Sequence, residues 1–539
     1  MRRAALVTTI AALLAAAPAA LGRPVSADKD GRPNILVIMT DDEAKTDVSL
    51  MPNVQKLLAA QGTTFADAVD SFPLCCPARA TFITGQYAHN HGVFGNFYPF
   101  GWYGMKDRGN ILPAWLQKAG YHTGLIGKWL NGYGARDAHG EVPKGFDTWR
   151  GLLDVSAYDY GNFVMNIDGK LKAWGDKAFA RKLVKFAKIE VSKVDNPSLA
   201  TTLDYLHKIM GPAPYSSWGA KAGKNNYSPD VTGKVTEGLV AGQAAAKDPF
   251  FIWWAPAAPH REDVATSLMG RPGRDPQPPP RYANKLAQYT LPRPASFNET
   301  DVSDKPSNII NGAPALSDAQ INQLQLDYEG RAGSLRAVDD HVKTLVDILR
   351  RTKQLDNTLI VFVSDNGWLQ GQHRIPGDKY LPYEESLRVP FILRGPGIPK
   401  GRTVHGQVSN IDFASTIVDA GNAKAGRVQD GISLLPIARR PSLRPDRAIM
   451  LEALNRLFDG DFGAVNPWDR PYTGVRTDRY TYAVYTETGE KELYDRKNDP
   501  EELDNLAGLP SMEGVQAHME ALRKKLSTCK GAACRKVLS

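Results

Sequence analysis

Five short apolar runs punctuate the first four hundred residues: "NILVIM" (34–39), "TGLIG" (123–127), "FFIWWA" (250–255), "LIVFV" (359–363) and "VPFIL" (389–393). Each is continuous rather than alternating, the pattern of a parallel strand buried on both faces. Between them the spacing predicts helices: "MPNVQKLLAAQG" (51–62) stopped by Gly62, "LPAWLQKAG" (112–120) stopped by Gly120, and a long one from about Ser317 to Arg351. Strands alternating with helices predict an α/β fold, a large and mostly parallel sheet sandwiched by helices. Beyond about Pro441 the texture changes. "AIMLEAL", "YTGVRTDRYTYAVYT" and "EKELYD" alternate and carry aromatic and β-branched residues, and "VQAHMEALRKKL" (515–526) has a helical period. A small C-terminal α+β domain with an antiparallel sheet and a closing helix is expected over 441–539, after a main domain over 28–440. Two segments fit neither pattern: an insertion at about 174–222, with a basic amphipathic stretch that suits a solvated helix or a substrate rim, and a proline-rich loop over 262–315.

The residues that follow the runs carry chemistry. Thr40-Asp41-Asp42 follows the first, Lys128 the second, "PAAPHR" with His260 the third, and Ser364-Asp365-Asn366 the fourth. Open α/β sheets bind ligands beyond the carboxyl ends of their strands, so four strands deliver ionisable groups to one edge. A further cluster lies in "SFPLCCPARATFITG" (71–85). Pro77 suits the first turn of a helix and Gly85 its end, which puts Cys75 at the helix N-terminus and Arg79 four residues on, on the same face. A negative charge developing at Cys75 would meet both the positive helix end and a guanidinium, a setting suited to a nucleophile.

Composition narrows the setting. The chain has 539 residues, 42% of them hydrophobic and 23% charged, so neither a fibre nor a disordered protein is expected. The first 27 residues, with Arg2 and Arg3 ahead of an alanine- and leucine-rich stretch and small residues near Gly22 and Ala27, read as a signal peptide. Secretion is expected, by the general or the twin-arginine route, with no stable membrane anchor in the mature chain. The net charge of +8 is scattered rather than clustered, which argues against nucleic acid. Of the four cysteines, Cys529 and Cys534 suit a small disulfide loop in an oxidising compartment. A bridge between the adjacent Cys75 and Cys76 would be strained.

The pattern C-x-P-x-R followed by Thr84-Gly85 resembles the signature of the type I sulfatases of the alkaline phosphatase superfamily. "RPNILVIMTDDE", "GYHTGLIGKW", "PFFIWWAPAAPH", "VFVSDNG", "DKYLPYEESLRVPFILRGPG" and "ELYDRKNDPEELDNLA" match in family order from about residue 32 to residue 507. The double cysteine and the "HNH" after it resemble the N-acetylglucosamine-6-sulfatase and arylsulfatase branch. The resemblance implies that Cys75 is oxidised to formylglycine (3-oxoalanine) by a formylglycine-generating maturation enzyme, with Cys76 a buried neighbour. It implies Asp41, Asp42, Asp365 and Asn366 as ligands of one divalent cation, Ca2+ with Mg2+ as the alternative. The all-oxygen donor set suits such a hard cation. Arg79 would hold the formylglycine, Lys128 and Lys379 would bind sulfate oxygens, and His260 with Lys379 would assist the leaving alkoxide. Where many members carry a histidine two residues after the first lysine, this chain has Leu130, then Asn131, a candidate substrate contact. The base for the second step is unassigned, with His89, His91 and His373 as candidates.

The expected activity is a secreted sulfuric ester hydrolase acting on a small-molecule or glycan sulfate ester, such as N-acetylglucosamine 6-sulfate or an aryl sulfate. Two alternatives stand beside it. One is a phosphonate monoester or phosphodiester hydrolase of the same superfamily; the other is a non-catalytic binder of sulfated glycans in which Cys75 stays a thiol.

Overall fold

Alternate residues of the first apolar run enter two different cores. Ile35, Val37 and Met39 pack on one side with Phe82, Trp115 and Phe413, while Leu36 and Ile38 pack on the other with Leu335, Val338 and Val342. The strand lies in a ten-stranded sheet with helices on both faces, which explains why its hydrophobic run is unbroken. The computed structural model describes residues 31–96, 100–134, 140–175, 225–262, 276–454 and 466–537. The signal peptide expected over 1–27, nearly all of the 174–222 insertion and residues 263–275 of the proline-rich loop lie outside them.

In spatial order the strands are Arg402–Val404, Thr63–Phe65, Phe391–Arg394, Thr358–Ser364, Asn34–Thr40, Phe250–Ala255, His122–Lys128, Thr148–Leu152, Phe163–Ile167 and Lys170–Trp174. The five from Thr358–Ser364 to Thr148–Leu152 are mutually parallel. The fifth apolar run departs from expectation: Phe391–Arg394 is antiparallel to Thr358–Ser364. The reason lies in the connection. The chain leaves Thr358–Ser364 at its carboxyl end and makes one helical turn, Glu384–Leu387, before re-entering the sheet. A parallel strand would need a crossover back to the opposite edge.

Among the helices, Leu112–Lys118 forms as expected, and Asp318–Arg351 starts at a capping box in which the Ser317 hydroxyl accepts from the Gln320 N–H. The stretch 51–62 is not a regular α-helix but a π turn at Val54–Leu58 followed by a 3-10 turn at Ala59–Gln61. Its entry is capped from outside, since the Asp339 carboxylate of the long helix accepts from the Asn53 and Val54 N–H groups at 3.0 and 2.8 Å. A helix at Ser228–Ala244 has no clear signal in sequence because Gly233, Gly238 and Gly242 dilute its propensity. Gly233 nevertheless has a packing role: a Cβ there would lie 2.4 Å from Cγ of His341 on the long helix.

The C-terminal residues form a four-stranded antiparallel sheet, Ile449–Ala453, Tyr472–Arg476, Tyr480–Tyr485 and Lys491–Asp495. Helix Glu513–Leu526 covers it through Met519, Leu522 and Leu526, in one core with Met450, Val475 and Tyr482, and Cys529–Cys534 form a disulfide. Buried Arg476 joins this sheet to the main one, donating to Asp67 at 3.0 and 2.6 Å and to Glu384 at 2.7 and 2.8 Å.

Two expectations concern the paired helices. Gly233→Ala forces the His341 ring to move and lowers stability by about 1–3 kcal/mol, read as a lower melting temperature in calorimetry. His341 Nδ1 and Nε2 face Glu237 and Asp230 at 2.6 and 3.1 Å. Burial alone would lower its pKa, but the two carboxylates outweigh it and hold the imidazolium above the usual histidine range. A raised folded value contributes stability that is complete below the unfolded pKa and lost as pH rises through the folded one. Urea unfolding at about pH 6 and about pH 9 should show that loss, and His341→Asn should shrink it.

Candidate active site

Leu74 is extended, Cys75 is the first residue of helix Cys75–Thr84, and Gly85 ends the helix in the left-handed region at φ 66°. Arg79 lies one turn beyond Cys75 and both are fully buried. Cys76 turns the other way, into the core with Phe82 and Trp253. The four strand ends converge on Cys75. Its Sγ lies 3.7 Å from Asp41 Oδ1, 3.9 Å from Asp42 Oδ1 and 3.2 Å from Lys379 Nζ. One ligand atom from each of Asp41, Asp42, Cys75 and His260 falls within 4.8 Å of the others.

Charges of opposite sign are interleaved around that point. Lys128 Nζ donates to Asp41 Oδ2 at 2.6 Å, and Lys379 Nζ to both oxygens of Asp42 at 2.8 Å. Arg79 Nε donates to Asp365 Oδ2 at 2.8 Å, its Nη1 to the Lys128 carbonyl at 2.9 Å, and its Nη2 lies 3.8 Å from Asp41. The other oxygen of Asp365 accepts from the Asp42 and Asn366 N–H groups at 3.1 and 2.9 Å. Asn366 Nδ2 donates to Asp42 Oδ1 at 2.7 Å, while Asn366 Oδ1 is buried with no hydrogen-bond partner. The Arg261 carbonyl can only accept, so the 2.7 Å contact fixes the proton on His260 Nδ1 and leaves Nε2 facing Asp42 Oδ2 at 3.4 Å. Burial alone would discharge Lys128, but Asp41 outweighs it and holds its pKa above the usual lysine range. Gly127, with φ 111° and a Cβ position 2.0 Å from the Ala255 carbonyl oxygen, lets the strand end turn Lys128 into the site.

The structure thus brings together Cys75, Arg79, Lys128, His260, Lys379, Asp41, Asp42, Asp365 and Asn366. Asn131 lies beside them, its Nδ2 donating to the Tyr158 hydroxyl at 2.7 Å and to Asp154 at 3.2 Å. The three candidate bases lie elsewhere. His89 is held by Glu452 and the Cys529 carbonyl, His91 by Thr81 and the Val93 N–H, and His373 by Glu299. Burial also pushes His91 well below the usual histidine range.

Several residues at the site escape a sequence reading. Tyr158 packs against His260 with ring centroids 4.2 Å apart and the planes tilted by 33°, and carries Lys128 Nζ 4.5 Å from its own ring centre. Trp368 lies under Lys379 at 5.4 Å. Arg331, from the middle of the long helix, donates to the Asp42 carbonyl at 2.6 Å. A signal for Arg331 does exist: it interrupts an apolar stripe that runs through Leu324, Tyr328, Leu335, Val338 and Val342.

A parallel sheet with an acidic and cationic cluster at its carboxyl edge, a cysteine at its centre and a small antiparallel sheet behind is the architecture of a sulfatase, a hydrolase of sulfate esters. The chain belongs to the sulfatase family: the family model "Sulfatase" matches residues 33–423, and "N-sulphoglucosamine sulphohydrolase, C-terminal" matches 371–530. It is 29% identical over 538 residues to the N-acetylglucosamine-6-sulfatase of Homo sapiens, covering 94% of this chain and 86% of that protein. Its fold is similar to that of a protein solved in complex with its substrate D-glucosamine-2-N,6-O-disulfate, at a TM-score of 0.68 and 22% identity over 92% of this chain and 97% of the other. It is also similar to the phosphonate monoester hydrolase of Agrobacterium radiobacter, at a TM-score of 0.62 and 20% identity over 92% and 95% of the two chains.

Arg79→Ala leaves the Asp365 carboxylate without its guanidinium in a fully enclosed site. A loss of about 3–5 kcal/mol in urea unfolding is expected, well above the value for an exposed pair.

Proposed function

We propose that the protein is a secreted sulfatase that cleaves sulfate monoesters of sugars through a formylglycine formed from Cys75. The observation that carries this reading is the contact of the Cys75 side chain with Lys379, Asp41 and Asp42 at a helix N-terminus, with Arg79 one turn away. A plain thiol is poorly matched to that place. Burial pushes its pKa up, and Lys128 and Lys379 offset this only in part, so the group stays protonated near neutral pH and weakly nucleophilic. An aldehyde hydrate at the same carbon offers two hydroxyls instead.

In the first step one hydroxyl gives its proton to Asp365 and attacks sulfur, forming an oxygen–sulfur bond as the bond to the sugar oxygen breaks, and His260, protonated on both ring nitrogens beside Asp42, gives the leaving alkoxide the proton on Nε2. Lys128 and Lys379 hold sulfate oxygens against their spreading negative charge. In the second step the remaining hydroxyl loses its proton to His260 Nε2, left bare by the first step, the carbonyl re-forms, and sulfate leaves with the electron pair of the carbon–oxygen bond. Arg79 keeps the reacting carbon in register through its bonds to Asp365 and the Lys128 carbonyl.

The donor set fits a hard divalent cation: three carboxylates and the orphaned, buried Asn366 Oδ1 offer oxygen alone. Asp41, Asp42, Asp365 and Asn366 would hold it, with Ca2+ the preferred ion. It would supply positive charge to a sulfate oxygen and to the attacking hydroxyl.

Sulfated glucosamine is favoured as substrate because the human relative and the solved neighbour bear names that specify it. Export through the leader over 1–27 accords with the Cys529–Cys534 disulfide, and no helix among the described residues is long and apolar enough to cross a membrane.

Mass spectrometry of the tryptic peptide Leu57–Arg79, from protein made in a host that carries the maturation enzyme, is expected to show a loss of about 18 Da at Cys75. Such protein should hydrolyse N-acetylglucosamine 6-sulfate and 4-nitrophenyl sulfate, lose activity in EDTA and regain it with calcium. An unmodified Cys75 together with retained glycan binding would point to the binder, and preferential cleavage of phenyl phosphonate to the phosphonate hydrolase.

A further inference from the structure

Arg331 is fully buried in the middle of a helix whose neighbouring core positions are apolar. Packing alone does not call for a guanidinium there, because burying one is unfavourable unless its hydrogen bonds are matched. Its partners come from three different loops of the site. Nη2 donates to the Asp42 carbonyl at 2.6 Å and to Asp47 Oδ2 at 2.8 Å, and Nη1 to the Pro259 carbonyl, next to His260, at 3.4 Å. The guanidinium carbon stands 5.7 Å from the ring centre of Trp368, the residue beneath Lys379. Asp47 in turn accepts from Gln370 Nε2 at 3.3 Å, in the loop that follows Asp365 and Asn366. Asp42 has φ 61°, a left-handed conformation rare outside glycine, and in this conformation its carbonyl meets Arg331.

We propose that Arg331 is the positioning residue of the site: one guanidinium behind it sets the loops of Asp42, His260 and Lys379 relative to one another, and thereby the cation affinity of the acidic cluster. The inference rests on the reading of Asp42 as a metal ligand. Arg331 acts through main-chain carbonyls, through Asp47 and through the ring of Trp368, not on the reacting atoms. Positive charge alone does not make the role; the planar fork does, since only several donors in fixed geometry can hold two carbonyls and a carboxylate together.

The full-length protein, stripped with EDTA, is titrated with calcium chloride in a calorimeter, and kcat and KM are measured on 4-nitrophenyl sulfate. Arg331→Met is expected to lose about 10- to 100-fold in calcium affinity, with kcat falling more than KM rises. Arg331→Lys should recover part of the affinity. Gly233→Ala serves as the control, because it strains the same long helix near His341 and lowers the melting temperature; its calcium affinity should be unchanged. Calcium affinity in Arg331→Met equal to that of the unsubstituted protein overturns the proposal, as does an equal loss in Gly233→Ala at a matched melting temperature. Should Arg331→Met fail to fold, an unchanged calcium affinity in Arg331→Lys overturns it. Absence of calcium binding by the unsubstituted protein overturns the metal assignment and the proposal with it, whereas normal binding there and in Arg331→Met overturns the proposal alone.

Discussion

The structure depends on the mutual neutralisation of charges that water cannot reach. Asp41, Asp42 and Asp365 are enclosed at the carboxyl edge of the sheet, and each is matched by a cation from another element: Lys128 from a strand end, Lys379 from the loop before the antiparallel strand, and Arg79 from the Cys75 helix. Removing any one of these ions from water is costly, and the cost is offset only while its partner is in place. Each pair therefore joins two elements as well as balancing a charge. The charges gathered around Cys75 are the ones that hold the edge of the sheet closed, so the character of the site and the stability of the fold draw on the same contacts.

The antiparallel strand Phe391–Arg394, beside the parallel block, has a matching role. Because the chain turns back at the carboxyl edge, the segment from Asp365 to Arg388 stays at the site. It contributes Asn366, Trp368 and Lys379 before reaching Glu384, which Arg476 of the small sheet holds. Asp378, beside Lys379, accepts from Trp468 Nε1 at 2.7 Å, also from the C-terminal part of the chain. The small sheet thus supports the lysine from behind, and this loop is one of the links between the two sheets, beside the bond of Arg476 to Asp67.

Much of the site is legible in the sequence because its residues are adjacent to strong local signals. Asp41, Lys128, His260 and Asp365 each follow a continuous apolar run, and Cys75 and Arg79 share a helical face marked out by Pro77 and Gly85. What is illegible depends on long-range partners. The ring of His89 is committed to Glu452, 363 residues away, and to the Cys529 carbonyl, 440 away, so no local pattern separates it from a base near Cys75. The direction of Phe391–Arg394 is set by where the chain re-enters the sheet, not by its own composition. Tyr158 is one aromatic residue among many until its ring is seen between Lys128 and His260. Arg331 interrupts an apolar stripe, a signal with no meaning until the carbonyls it meets are known.

The carbonyl of Cys529 accepts from both His89 and Asn90, just after the Cys75 helix, and Asp430 accepts from the Gly531 N–H as well as the Tyr87 N–H. The segment around the Cys529–Cys534 disulfide thus docks beside the helix that carries Cys75, although more than four hundred residues separate them. Cys75, having no exposed surface once the chain is closed, can meet another protein only before that.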